Sequence, residues 1–198
     1  SFTTEKGGMI PNEGAKHHRE VKEKVLKAAL EKANLSLKDI NLISYSHGPG
    51  LSPSLLVGLE FAKKLSSENK IPLVGVNHSL AHLTIGDLLC KMKDPVYLYV
   101  SGVNTQLISR VKNNFRIFGE TVDIGLGNAL DKFGREAGLG FPAAPKMEEL
   151  AKKGKYIELN YSVKGMDVSF TGIITKAIQL MKNQKVKIED LCFSLQET

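Results

Sequence analysis

Nowhere in its 198 residues does the chain carry an apolar run near the roughly 20 residues that a membrane-crossing helix needs. Its first residues, SFTTEKGG, lack the apolar core of a signal peptide. Cysteine is scarce: Cys90 and Cys192 are the only two, far apart and at no metal-ligand spacing. Each falls in an apolar helical stretch, so both are expected as buried, reduced thiols and the protein as a cytoplasmic one. There is no low-complexity tract, no exact internal repeat and no massed basic run. The lysines are scattered, so the net charge of +6 (27 basic, 21 acidic) admits an anionic partner such as RNA or a nucleotide without requiring one. A Lys-rich solvated surface accounts for the same surplus. What is present is ordinary for a globular protein: 42% hydrophobic and 24% charged residues, which argues against disorder.

The pattern of apolar residues predicts an α/β chain. Residues 12–33 read as an amphipathic helix with Val21, Val25, Leu26, Ala29 and Leu30 on one stripe. Strand 41–46 ends at Gly48-Pro49-Gly50. Helix 54–68 turns Leu55, Leu56, Leu59 and Leu65 inward, and strand 71–76 follows. Strand, helix and strand in that order predict a parallel crossover. A helix over 80–92 leads to Asp94-Pro95, a boundary signal. Three short segments, 96–101, 105–111 and 115–120, then predict an antiparallel meander. Helices over 128–138 and 146–153 flank a Pro-containing loop, segment 156–170 is β-like, and two helices close the sequence.

Asn77-His78-Ser79-Leu80-Ala81-His82 is the sharpest local signal. Histidines at i and i+4 share one helix face, about 6 Å apart, and could hold one metal ion; the alternative is two unrelated surface histidines. A metalloprotease helix would carry a Glu right after the first His as its base, and here that residue is Ser79. Tyr99-Val100-Ser101-Gly102-Val103-Asn104 is a strand entering a tight turn whose amides and hydroxyl could cradle a phosphate, or serve as an ordinary hairpin. Asp131 and Glu148 flank Pro142-Ala143-Ala144-Pro145 and could accept hydrogen bonds from ribose hydroxyls or a base, or simply be solvated. Gly48-Pro49-Gly50, ahead of a helix, is either an anion site or a structural turn. His17-His18 reads as helix surface.

The runs GGMIPNEGAKHH, HGPGLSPSLLVG, VNHSLAHLTIG, YVSGVNTQLI, FGETVDIGLGNALDKFGREAGL, PKMEELAKKGK and YSVKGMDVSFTGI, in this order, resemble the universal threonylcarbamoyl transferase family over essentially the whole chain. An older label for that family is O-sialoglycoprotein endopeptidase, or glycoprotease. YVSG-NTQ, GNALDKF and VKGMDVSF are similar to its archaeal and eukaryotic branch, the catalytic subunit of the KEOPS complex. The resemblance implies an actin-like ATPase (ASKHA) fold of two ribonuclease H-like lobes, here incomplete, over residues 1–94 and 95–198. It implies transfer of threonylcarbamoyl from threonylcarbamoyl-AMP to the tRNA adenosine beside the anticodon. By the same resemblance His78, His82 and Tyr99 match metal ligands for iron or zinc. Tyr99, Val100, Ser101, Gly102, Val103, Asp131, Ala144 and Glu148 match adenylate- or ATP-binding positions. The implied partners are tRNA, a small atypical kinase, a tRNA-binding subunit and a dimerising subunit.

Departures from that pattern bear on function. The family's SGGNT turn has Val103 at its second glycine, its PGGP loop reads Pro142-Ala143-Ala144-Pro145, and a basic residue is replaced by Asn12. Side chains are thus expected where glycine lets backbone approach a ligand. The family's N-terminal phosphate hairpin, second C-terminal phosphate loop and C-terminal metal-binding aspartate are not among these residues, so a chain truncated at both ends is expected, with open strand edges that favour association. The rival reading is a non-catalytic binding or scaffold module of the same fold; a metalloprotease is disfavoured by Ser79.

Overall fold

Helix α1 (Pro11–Ala33) begins with proline at its first position, where a missing N–H costs nothing, and ends where Asn34 adopts the left-handed conformation. The computed structural model describes residues 10–112 and 114–198; Gly7, Gly8 and Met9 of the GGMIPNEGA run and Asn113 of the KNN turn lie outside these. Strand β1 (Ile43–Gly48), helix α2 (Ser52–Asn69) and strand β2 (Leu73–Asn77) form the expected crossover, with β1 and β2 parallel. Helix α3 (His78–Cys90) follows β2 directly. Both strands begin two residues later than expected. The register explains the far ends: it slips between Ser46 and Gly48, so that Gly48 pairs with Asn77. The α/β class is as expected.

Three corrections arise in this part of the chain. Leu56 does not face inward: it is exposed, and the buried positions of α2 are Val57 and Ala62. The α1 stripe meets α2 across an open apolar groove of about 510 Å³, lined by Val21, Val25, Leu26, Ala29, Val57 and Phe61, so Val25 stays exposed. Cys90 is likewise exposed, because it ends α3 on a turn whose neighbours Leu88 and Leu89 also face outward. Only Cys192 is buried, and burial, with the Glu189 carboxylate adding to it, pushes its thiol up to about 11.

The chain divides into two units, residues 1–91 and 92–198. The second opens with the meander β3 (Val96–Val100), β4 (Thr105–Val111) and β5 (Asn114–Glu120), antiparallel in that order. Helices α4 (Leu126–Glu136), α5 (Ala144–Ala151), α6 (Thr171–Lys182) and α7 (Ile188–Glu197) share one core around Phe133, Met147, Leu159, Ile174 and Leu191. The β-like segment 156–170 holds only a short hairpin, β6 (Ser162–Lys164) with β7 (Asp167–Ser169). Its first part runs along α7 instead: Ile157 N–H donates to Ser194 Oγ at 2.8 Å, and Lys155 N–H, just ahead of the segment, to Asp190 Oδ1 at 2.7 Å. No helix of the described residues is long and apolar enough to cross a membrane.

Asp123 ties the meander side to α6. Its carboxylate accepts from Ser169 Oγ (2.5 Å), Ile124 N–H (2.7 Å), Thr171 N–H (2.9 Å) and Phe170 N–H (3.0 Å), so it caps a helix that lies 48 residues downstream. Burial pushes its pKa up, but the bonds from Ser169, Thr171, Ile124 and Phe170 outweigh that and hold it well below the usual carboxylate range. A depressed native pKa stabilises the fold above the unfolded value of 3.8, and that contribution fades as pH falls towards the native pKa. Asp123→Ala should therefore cost about 1–2 kcal/mol at neutral pH. Denaturant unfolding of parent and variant from pH 7 to pH 3 should show the difference shrinking with acid.

Candidate functional site

His78 and His82 are set by the end of β2. Asn77 closes the strand and caps α3, its side chain accepting from Leu80 N–H at 3.1 Å, so His78 takes the first helical position and His82 lies one turn on. The register between Gly48 and Asn77 puts the Gly48-Pro49-Gly50 turn at the same carboxyl end of the parallel pair, where such folds place ligands. The two rings converge more than helix spacing alone implies: centroids are 4.6 Å apart, edge to face, and the two Nε2 atoms 3.3 Å apart. Two nitrogens on one tetrahedral ion at about 2.0–2.1 Å from the metal are also about 3.3 Å apart, so the donor pair fits a shared metal. An N–H···N hydrogen bond between the neutral rings satisfies the same distance. His47 sits in the β1 bulge at this sheet end, but among the described residues no three His, Cys, Asp or Glu side chains form a metal cluster. Both helix histidines are exposed.

In the second unit, Tyr99 is buried on β3, while Val100, Gly102 and Val103 are exposed, the last by 72%. The turn after β3 is held by Ser101, whose Oγ accepts from Asn104 N–H at 2.9 Å and Val103 N–H at 3.3 Å while its own N–H donates to Asn104 O at 2.7 Å. Two amides expected to face a phosphate are thus turned onto the Ser101 hydroxyl. The turn's carbonyls in turn satisfy the start of α4: Gly127 N–H donates to Ser101 O and Asn128 N–H to Gly102 O, with Leu126 N–H on Thr105 Oγ1 at 3.0 Å. This contact requires glycine. A Cβ on Gly125 would overlap the Val103 carbonyl, and one on Gly127 would lie 2.8 Å from Gly102 Cα.

Asp131 and the loop at 142–145 are in direct contact, since Asp131 Oδ1 accepts from Ala143 N–H at 2.9 Å at the start of α5. Ala143 corrects one expectation: it is fully buried with its methyl against Gly134, so the added carbon faces α4 rather than a ligand. Ala144 and Glu148, on the first turns of α5, are exposed. Asp123, Thr105, Gly125 and Gly127 were not singled out in the sequence. The two glycines of DIGLGN immediately before a helix were the signal available for the close approach.

The family model described as "TsaD: tRNA N6-adenosine threonylcarbamoyltransferase" matches residues 1–198. The chain belongs to this family. A tRNA N6-adenosine threonylcarbamoyltransferase of Thermococcus sibiricus is 51% identical over 199 residues, covering 100% of this chain and 61% of the relative. One of Thermofilum pendens is 46% identical, covering 100% of this chain and 59% of the relative. A Thermoplasma acidophilum relative, 51% identical over 97% of this chain and 36% of its own length, carries the description "Probable bifunctional tRNA threonylcarbamoyladenosine biosynthesis protein". The chain therefore spans about six tenths of the length of the transferases it matches. YeaZ from Pseudomonas aeruginosa overlaps 50% of this chain and 48% of its own at a TM-score of 0.37 and 12% identity, too slight a likeness to carry an argument.

Ser101→Ala leaves the Val103 and Asn104 amides without their shared acceptor. The variant should lose about 1 kcal/mol of stability, and those two amides should exchange with solvent faster than in the parent. Hydrogen exchange followed residue by residue checks both the size and the place of the effect.

Proposed function

We propose that this chain forms part of a tRNA N6-adenosine threonylcarbamoyltransferase on an actin-like (ASKHA) fold, with parts of two ribonuclease H-like lobes at 1–94 and 95–198. The observation that supports it is the family match over residues 1–198, joined by 46–51% identity to archaeal transferases across the whole chain. In the reaction, N6 of the adenosine beside the anticodon attacks the carbamoyl carbon of threonylcarbamoyl-AMP. The N–C bond forms, the bond from that carbon to the phosphate oxygen breaks, AMP leaves with the electron pair, and one N6 proton passes to solvent.

Tyr99 to Val103 are the phosphate side of this site, and Asp131, Ala144 and Glu148 the adenosine side. Asp131 has already spent one acceptor position on Ala143 N–H, and a carboxylate keeps further acceptor positions for a ribose hydroxyl. His78 and His82 would hold one iron or zinc ion, and Tyr99, buried on β3 of the second unit, is assigned to the ligand set by the family resemblance alone. Such an ion would supply Lewis-acid charge to phosphate and carbamoyl oxygens. The partners we assign are tRNA and the KEOPS subunits: a small atypical kinase, a tRNA-binding subunit and a dimerising subunit. The bifunctional Thermoplasma relative supports the pairing of this family with a second biosynthetic activity. The compartment we assign with a tRNA substrate is the cytoplasm.

One observation favours the scaffold reading instead: the Val103 and Asn104 amides already donate to Ser101 Oγ, which weakens the turn as a phosphate cradle. Calorimetric titration with ATP separates the two, since a scaffold that has lost nucleotide capture gives no heat. The metal assignment has its own test. His82→Ala should reduce iron or zinc from about one ion per chain to near zero, by elemental analysis, with an unchanged circular dichroism spectrum. Equal metal content in variant and parent would remove both histidines from the ligand set.

A further inference from the structure

Asp131 and Gly134 stand three residues apart in α4 and so share a helix face. Both meet the same residue of the loop leading into α5. Asp131 Oδ1 takes the Ala143 N–H at 2.9 Å, and the space where a Gly134 side chain would begin is filled by the Ala143 methyl. A Cβ built on Gly134 would overlap the Ala143 Cβ outright, and Ala143 Cα would be 3.4 Å away. Neither atom can yield cheaply. Gly134 is locked in a helix and buried, Ala143 is fully buried, and its Cβ is fixed to backbone that begins α5. The loop is pinned on both sides of this contact: Leu139 N–H donates to Gly134 O at 2.8 Å, and Lys146 Nζ to Leu139 O at 2.6 Å.

We infer that Gly134 and Ala143 are a size-coupled pair, in which only one position can carry a methyl, and that Gly134 is a positioning residue for the adenosine side of the nucleotide site. It acts through Ala143, whose depth against α4 sets both the Asp131 hydrogen bond and the start of the helix that carries Ala144 and Glu148. The inference rests on the nucleotide reading proposed above. A methyl on Gly134 lifts the loop away from α4, breaks the Asp131 to Ala143 bond and displaces Ala144 and Glu148 together. Removing the Ala143 methyl at the same time restores the fit, because the one carbon has merely changed sides.

The experiment compares the full chain with Gly134→Ala, Ala143→Gly and the double variant. Two readouts are taken: exchange protection of the residue-143 amide by NMR, and ATP affinity by calorimetry. Gly134→Ala should lose about tenfold in both, in line with overpacking of a close-packed site. The double variant should recover both to within about twofold of Ala143→Gly, its matched single variant. Unchanged protection in Gly134→Ala overturns the pair, whatever ATP does. Lost protection with unchanged ATP affinity overturns the positioning role, as does a double variant that regains protection and not affinity. A parent chain that gives no ATP heat sinks the nucleotide reading itself, while the protection measurements still decide whether the pair exists.

Discussion

The start of helix α4 has no side-chain cap of its own, and the second unit is organised around the substitute. Its first amides are taken by the carbonyls of Ser101 and Gly102 and by the hydroxyl of Thr105, which is itself nearly buried. A helix start left without acceptors would cost about 1–3 kcal/mol per buried amide, so this contact is strongly specified. It fixes the turn after β3 against the helix layer, and everything the turn carries inherits that placement. It also explains why Gly125 and Gly127 stand where they do. At these two positions any side chain would collide with the backbone that provides the acceptors.

Elements with a regular period were legible in the sequence; features fixed by distant partners were not. The meander was readable because β3, β4 and β5 alternate and are separated by short polar turns. The crossover was readable from two apolar runs around one helix. The strand ends were not, because the bulge that pairs Gly48 with Asn77 depends on the neighbouring strand rather than on local residues. Leu56 and Cys90 look like core in a linear pattern, yet which face of α2 and α3 is covered is decided by packing. The stretch beginning at 156 has strand composition, but Ser194 of α7 takes the Ile157 amide and Asp190 that of Lys155 just ahead of it.

The candidate site divides along the same line. The histidine pair needs only helix spacing and a strand end, both local, and its Nε2 atoms stand 3.3 Å apart, a distance that an N–H···N hydrogen bond and a shared ion satisfy alike. Asp123 was invisible for the opposite reason: its partners Ser169, Phe170 and Thr171 lie 46 to 48 residues away. Spacing could not reveal that an aspartate ahead of α4 is the cap of α6.

The turn and the loop show how one departure from the family's glycines differs from another. At the loop, Ala143 buries its methyl against a glycine on α4, so the added carbon is absorbed by the core and the Asp131 bond survives. At the turn, Val103 leaves its side chain almost wholly in solvent and gives its amide to Ser101. The first substitution is matched by a vacancy in the facing helix. The second has no such match, and its branched carbon restricts the backbone at the point where a phosphate cradle needs an amide free to turn outward. On the nucleotide reading proposed above, capture is therefore limited at the turn after β3 rather than at the loop before α5.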